Sequence, residues 1–198
     1  MNTRVEAPRG GRGARQRILD AAVRLFYVDG INATGVERLA DEASVSKRTL
    51  YQHFPSKDAV VEAYLGYLRQ GVGDPVHPDA AAARRSPKSR ILALFDVPPG
   101  GAGPWRGCPF HNAAVEAAGG MPEVHGIVEE HKRNFVDGVV DLTRQAGAAN
   151  PKLLGNQLAI LFEGAAAMST SLNDAAPWGQ AKRAAQTLLE EAIGRASG

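Results

Sequence analysis

An all-α chain is predicted from three observations. Apolar residues return at positions i, i+3, i+4 and i+7 through most of the sequence, the spacing that gathers them on one face of a helix. Alternation with period two, which a half-buried strand requires, is almost absent. Serine, threonine or proline stands at the start of one segment after another, where helix caps and first turns favour them. With 198 residues, 44% of them hydrophobic, the chain suits one or two small domains with real cores.

The elements follow in order. Residues 1–13 carry Arg4, Arg9 and Arg12 among glycine and proline, and a flexible basic arm is expected there. Residues 15–29 read as an amphipathic helix, with Ile18, Leu19, Ala22, Val23, Leu25 and Phe26 on a broad stripe and Gly30 as its stop. Thr34 and Glu37 form a T-x-x-E capping box for a short second helix through Val36, Leu39 and Ala40. Ala43-Ser44-Val45 breaks the pattern, and Ser46 caps a third helix through Leu50 and Phe54. Ser56 caps a connecting helix over 58–70, with Val61, Tyr64, Leu65 and Leu68 inward. A Gly/Pro/Ala-rich stretch at 71–85 reads as a linker. Ser86-Pro87 opens the next helix, through Ile91, Leu92, Leu94 and Phe95. The prolines and glycines of VPPGGAGPWRG, 97–107, demand a loop. Further helices are predicted over 109–118, 122–145, 151–172 and 177–193.

The third helix is a poor core element. Only Leu50 and Phe54 turn inward, while Lys47, Arg48, Thr49, Tyr51, Gln52 and His53 face out. A helix-turn-helix lays its second helix in the major groove of double-stranded DNA, with contacts concentrated near that helix's N-terminus. Lys47 and Arg48 can donate to guanine O6 and N7, and the Thr49 methyl can pack on thymine. Tyr51, His53 and Lys57 offer donors that grip phosphate without reading sequence. Thr34 and Gly35, at the start of the preceding helix, suggest an anion site. Ser46 and Gln52 complete the candidate DNA-facing set. The bland alternative is a helical hairpin with a solvated polar face, because helix-turn-helix patterns are degenerate.

The run RQRILDAAVRLFYVDGINATGVERLADEASVSKRTLYQHFPSKDAVVEAYL resembles the DNA-binding domain of the TetR/AcrR-type transcriptional repressors. The marks are I-L-x-A-A-x-x-L-F-x-x-x-G, then T-x-x-x-x-x-A, then V-S-K-x-T-L-Y-x-H-F-x-S-K. One departure is Ser44, where the family usually has glycine. Serine tolerates a left-handed turn less well, so strain or a different closure is expected there. The resemblance implies a helix-turn-helix domain over 14–56, with Arg15 touching phosphate. It also implies a domain over 57–198 that is both effector pocket and dimer interface, 57–70 being the connecting helix. Two recognition helices of a homodimer would enter successive major grooves of a pseudo-palindromic operator. A small-molecule effector would release them, with coupling expected through 58–70.

The last two helices are expected to form the dimer surface as a four-helix bundle, through Leu154, Leu158, Leu161, Ala165 and Met168 on one and Ala181, Ala184, Ala185 and Leu188 on the other. Phe95, Trp105, Phe110, His111, Asn112, His131, Phe135, Phe162 and Trp178 make a search list for the effector pocket, suited to a partly aromatic ligand. Each is also a plausible plain core residue. The segment RGCPFHNAAVE resembles a stretch of one TetR subgroup, in which some members with a cysteine near this place respond to electrophiles or oxidants. Cys108 at a helix start, with Arg106 near it, is therefore a possible sensor. A small thiol filling a gap is the plainer reading.

Composition narrows the remaining classes. Residues 1–70 hold 11 Lys and Arg against 8 Asp and Glu, and residues 71–198 hold 12 against 13, a mild asymmetry in the direction that DNA contact needs. A single cysteine excludes an intrachain disulfide and zinc-finger spacing. His125 and His131 stand on different helix faces, so no metal site is expected. No phosphate-binding glycine loop or nucleophile elbow occurs; neither a cofactor nor an enzyme activity is expected. The absence of a long apolar run and of a signal core points to a cytoplasmic protein without a membrane partner. The alternatives are an activator or architectural regulator of the same fold, an electrophile-sensing regulator, and an all-α small-molecule carrier or enzyme with an incidental helix-turn-helix.

Overall fold

The computed structural model describes residues 12–71, 76, 84–97 and 105–194. The arm with Arg4 and Arg9, most of the linker at 71–85 and most of the loop at 97–107 fall outside them. Among the described residues there are nine α-helices and no strand. They are α1 (Arg12–Val28), α2 (Val36–Glu42), α3 (Lys47–His53), α4 (Lys57–Gly71), α5 (Pro87–Ala93), α6 (Pro109–Ala117), α7 (Pro122–Gln145), α8 (Pro151–Leu172) and α9 (Ala176–Gly194). α5 is shorter than its apolar pattern suggests. Leu94 and Phe95 bond instead to the carbonyls three residues back, in a tight final turn.

The chain divides into two compact units, the first taking everything up to Gly71 together with Pro109–Val128. In it α1 packs on α2, α3 and α4. Ile18, Leu19, Leu25 and Phe26 of α1 are buried, as are Leu39, Leu50, Phe54, Val60, Val61 and Leu65 from its neighbours. The Phe26 and Tyr64 rings meet edge to face at 5.4 Å. α6 and the first turns of α7 also belong to this unit, with Phe110, Ala113, Ala117, Val124 and Val128 buried. α4, α6 and the start of α7 thus cluster with the helix-turn-helix in this compact unit.

The second unit holds α5, the rest of α7, α8 and α9. α8 and α9 pair as a helical hairpin. Asn150 caps α8, accepting from the Leu153 N–H at 3.2 Å, with Pro151 at the first turn. Asn173 closes it in the left-handed conformation, φ +50°, which asparagine adopts more readily than most residues. The buried Thr143 hydroxyl lies 2.7 Å from Val140 O and 2.8 Å from Pro151 O, linking α7 to the start of α8. Gly155 is where α8 meets α7: a Cβ there would lie 2.5 Å from Val140 Cγ2.

The packing redistributes the stripes expected to form the dimer surface. Leu154, Leu158, Ala165, Ala181 and Ala185 are buried within the single chain, and Leu161, Ala184 and Leu188 are half-buried. Only Met168 of the expected set is exposed. The outward apolar face of α8 is instead made by Leu153, Ile160, Met168 and Leu172, 51–71% exposed, with Gly164 and Ala167 between them. α8 is apolar around most of its circumference, so its period cannot say which stripe meets α7 and α9 and which stays outside.

Candidate nucleic-acid interface

The geometry of α2 and α3 begins at the turn between them. Val45 N–H bonds to Ala40 O at 2.9 Å and Ser44 N–H to Asp41 O at 3.0 Å. This is a Schellman closure, which places its turning residue in the left-handed region. That residue is Ser44, at φ +52°, so the turn has the closure a glycine would give and a serine holds it. Arg17 Nε donates to Ala43 O at 3.0 Å, fastening the same turn to α1.

Ser46 caps α3 as its position predicted. Its hydroxyl accepts from Thr49 N–H at 3.0 Å and lies 2.9 Å from the Thr49 hydroxyl. Leu50 and Phe54 are buried beneath the helix, which fixes its rotation and leaves Lys47, Arg48, Tyr51 and Gln52 exposed; Thr49 and His53 are half-buried. The six outward residues thus form one polar face with two cations at its N-terminal end. Lys47 pairs with Glu37 of α2 at 2.5 Å, so this carboxylate binds the ammonium and does not cap α2. The pairing holds the Glu37 carboxyl below its ordinary range and the Lys47 ammonium above its own.

The T-x-x-E capping box does not form. Gly35, not Thr34, caps α2, and no side chain bonds there. Thr34 is fully buried, its hydroxyl donating to Gly30 O at 2.7 Å. It therefore closes the end of α1 and offers no hydroxyl to a phosphate, while Gly35 stays exposed. The Thr34 hydroxyl donates to the Gly30 carbonyl, an acceptor at the end of α1, rather than accepting from an N–H of α2. Arg15 is exposed, with its guanidinium 5.1 Å above the Phe54 ring. Lys57, at the start of α4, is half-buried; burial pulls its pKa down while Glu116 and Asp58 oppose the shift.

The effector candidates divide between the units. Phe110, His111 and Asn112 belong to the first, where Phe110 is buried, Asn112 half-buried and His111 exposed. In the second, Phe162 stands amid Phe135 at 4.8 Å, Trp178 at 5.3 Å and Phe95 at 6.3 Å. Trp178 is buried, and among the described residues its indole N–H and the buried Ser169 hydroxyl find no hydrogen-bond partner. Trp105 and His131 are half-buried in the same unit. Cys108 is half-buried, with Lys132 Nζ 3.5 Å from its sulfur and 2.5 Å from Glu163 Oε1. Among the described residues no helix is long and apolar enough to cross a membrane.

Comparison with known proteins places this surface in a family. Residues 18–64 match the model of bacterial regulatory proteins, tetR family. Over 88 residues the chain is 40% identical to the HTH-type transcriptional activator FasR of Mycolicibacterium smegmatis, covering 41% of this chain and 39% of that one. Over 60 residues it is 42% identical to the HTH-type transcriptional repressor KstR2 of Rhodococcus jostii, covering 30% and 29%. The chain thus spans well under half the length of either relative. Solved structures match far more of it. A TetR-family transcriptional regulator from Streptomyces coelicolor superposes with a TM-score of 0.81 at 31% identity, covering 91% of this chain and 96% of that one. A TetR-type regulator from Streptomyces avermitilis gives 0.78 at 31% identity, covering 90% and 97%. With its helix-turn-helix, its all-α C-terminal half and these matches, the chain belongs to the TetR family of DNA-binding transcriptional regulators.

Proposed function

We propose that the protein is a homodimeric repressor, released from a pseudo-palindromic operator by a small molecule bound in its second unit. The observation that carries DNA recognition is the face of α3, where Leu50 and Phe54 pin the helix and Lys47, Arg48, Tyr51 and Gln52 are exposed together. A helix so presented suits the major groove. Two copies are required because one such helix reads too few base pairs for useful affinity. The outward face of α8, with Ile160 and Met168 exposed beside Gly164 and Ala167, supports pairing of two chains there by close helix packing.

The Phe162 cluster supports the effector reading. Four aromatic rings offer apolar surface, and the unpartnered Trp178 N–H favours a ligand that carries a hydrogen-bond acceptor. A second reading, a regulator triggered by electrophiles, is favoured by one contact: the Lys132 ammonium lies 3.5 Å from the Cys108 sulfur.

One experiment addresses these readings. Duplexes selected from a random pool by the protein are challenged with a library of apolar aromatic compounds and with a quinone, using wild type, Trp178→Phe and Cys108→Ser. Release by an acceptor-bearing aromatic, weakened in Trp178→Phe and unchanged in Cys108→Ser, is the expected result. Release by the quinone alone, abolished in Cys108→Ser, would favour the second reading. Failure to enrich any duplex would sink both.

A further inference from the structure

We propose that Glu116 positions the helix-turn-helix: its carboxylate, near the end of α6, holds the α1–α2 turn and so sets the pose of α2 and α3. Asn32 N–H donates to Glu116 Oε2 at 2.6 Å, and Asn32 Nδ2 donates to the Glu116 main-chain O at 3.2 Å. One residue therefore grips the turn twice, with its side chain and its backbone, across 84 positions of sequence. Gly30 sits directly beneath. At φ +99°, a Cβ there would lie 3.2 Å and 3.3 Å from the two carboxylate oxygens. The bare backbone at Gly30 serves both the left-handed stop of α1 and the approach of the carboxylate. Lys57, at the start of α4, feels the same charge. The end of α1, the α1–α2 turn and the start of α4 thus all face one carboxylate.

A charge-assisted bond to a main-chain N–H is directional as well as strong, so it fixes orientation and not merely proximity.

The proposal rests on the DNA-binding reading, and its test separates the two. The first arm needs no DNA. In the full-length protein the Asn32 amide should be protected from hydrogen exchange, and Glu116→Ala should speed its exchange about tenfold or more, the ratio expected for losing a bond to a charged acceptor. Glu116→Gln, which keeps an acceptor oxygen, should retain most of the protection.

The second arm uses a duplex selected by wild type, the same duplex with one half scrambled, and a series with the half-site spacing altered. Glu116→Ala should weaken the intact duplex about tenfold, corresponding to the same bond, and flatten the dependence on spacing. Binding to the scrambled duplex should stay at wild-type strength, and Glu116→Gln should restore the intact site. Asn32 exchange unaltered in Glu116→Ala, or an unchanged spacing series, would overturn the proposal. So would parallel loss of both duplexes with lowered helicity, which marks a plain folding defect. A wild type that binds no duplex, yet shows Asn32 protection lost in Glu116→Ala, would overturn the DNA-binding reading and the positioning role with it, leaving only the bond.

Discussion

Ser44 holds the turn of the helix-turn-helix in a conformation that costs an L-residue about 1–2 kcal/mol. Its side chain is exposed, so nothing in the packing requires it. Ser44→Gly should raise the thermal midpoint by a few degrees, a gain of about 1 kcal/mol reduced by glycine's greater freedom in the unfolded chain. A lowered midpoint in calorimetry would mean the hydroxyl contributes something the geometry does not show. Three residues on, at the start of α3, Lys47 is engaged by Glu37. Glu37→Gln should free it, tightening DNA at low salt and steepening the salt dependence of binding by about one unit. Arg48 has an exposed side chain at the same end of the helix. Arg48→Ala should cost about 1–3 kcal/mol and relax preference at one or two base pairs. Fluorescence anisotropy across a salt series distinguishes them: a uniform loss over all sequences in Arg48→Ala would remove it from base reading.

Among the elements, the crossing of α7 on α8 is the least tolerant. Gly155 brings the α8 backbone so close to α7 that an added methyl would meet Val140 Cγ2 at 2.5 Å and Val140 Cα at 2.8 Å. A flexible side chain could move aside, but the α7 backbone cannot do so cheaply. Gly155→Ala should therefore lose stability by about 1–3 kcal/mol despite alanine's better helix propensity. The check is a urea titration, in which a raised midpoint would show that the helices can separate. Gly164, nine residues along the same helix, has open space where its Cβ would be: beyond its own stretch of helix, no atom of the described residues lies within 4 Å. In the isolated chain Gly164→Ala should gain about 0.5–1 kcal/mol by propensity alone.

For the whole molecule, the question is which face joins two copies. Leu161 and Leu188 are half-buried and packed against the core of their own chain, so a charge there would disturb the fold before it tested assembly. Ile160 is 71% exposed and can carry a glutamate at no cost to the protomer. Ile160→Glu should sediment as a monomer, keep its helicity and lose binding to a two-fold duplex, since burying an unpaired carboxylate costs several kcal/mol. Gly164→Ala should weaken the dimer while strengthening the helix, if close approach occurs at that residue. An Ile160→Glu protein that remained dimeric would move the interface off this face.

The sequence by itself determined the helices, the caps at Ser46 and Ser56 and the outward polar face of α3. These depend on neighbours in the chain: Ser46 and Ser56 reach N–H groups three residues on, and Leu50 and Phe54 set the rotation of α3 by spacing alone. The left-handed turn at Ser44 was legible for the same reason. Only the tertiary structure decided the rest. Thr34 faced two possible partners, and the packing of α1 against α2 chose the carbonyl of Gly30 over an N-cap. α8 is apolar on several sides, so its contacts with α7 and α9, rather than its period, decided that Leu154 and Leu158 lie inside and Ile160 outside. The tie between Glu116 and Asn32 spans 84 positions, and no local pattern marks either residue. Local hydrogen bonds and periodicity are written in a few consecutive residues, whereas choosing among equally apolar faces and distant polar partners requires the whole chain to fold.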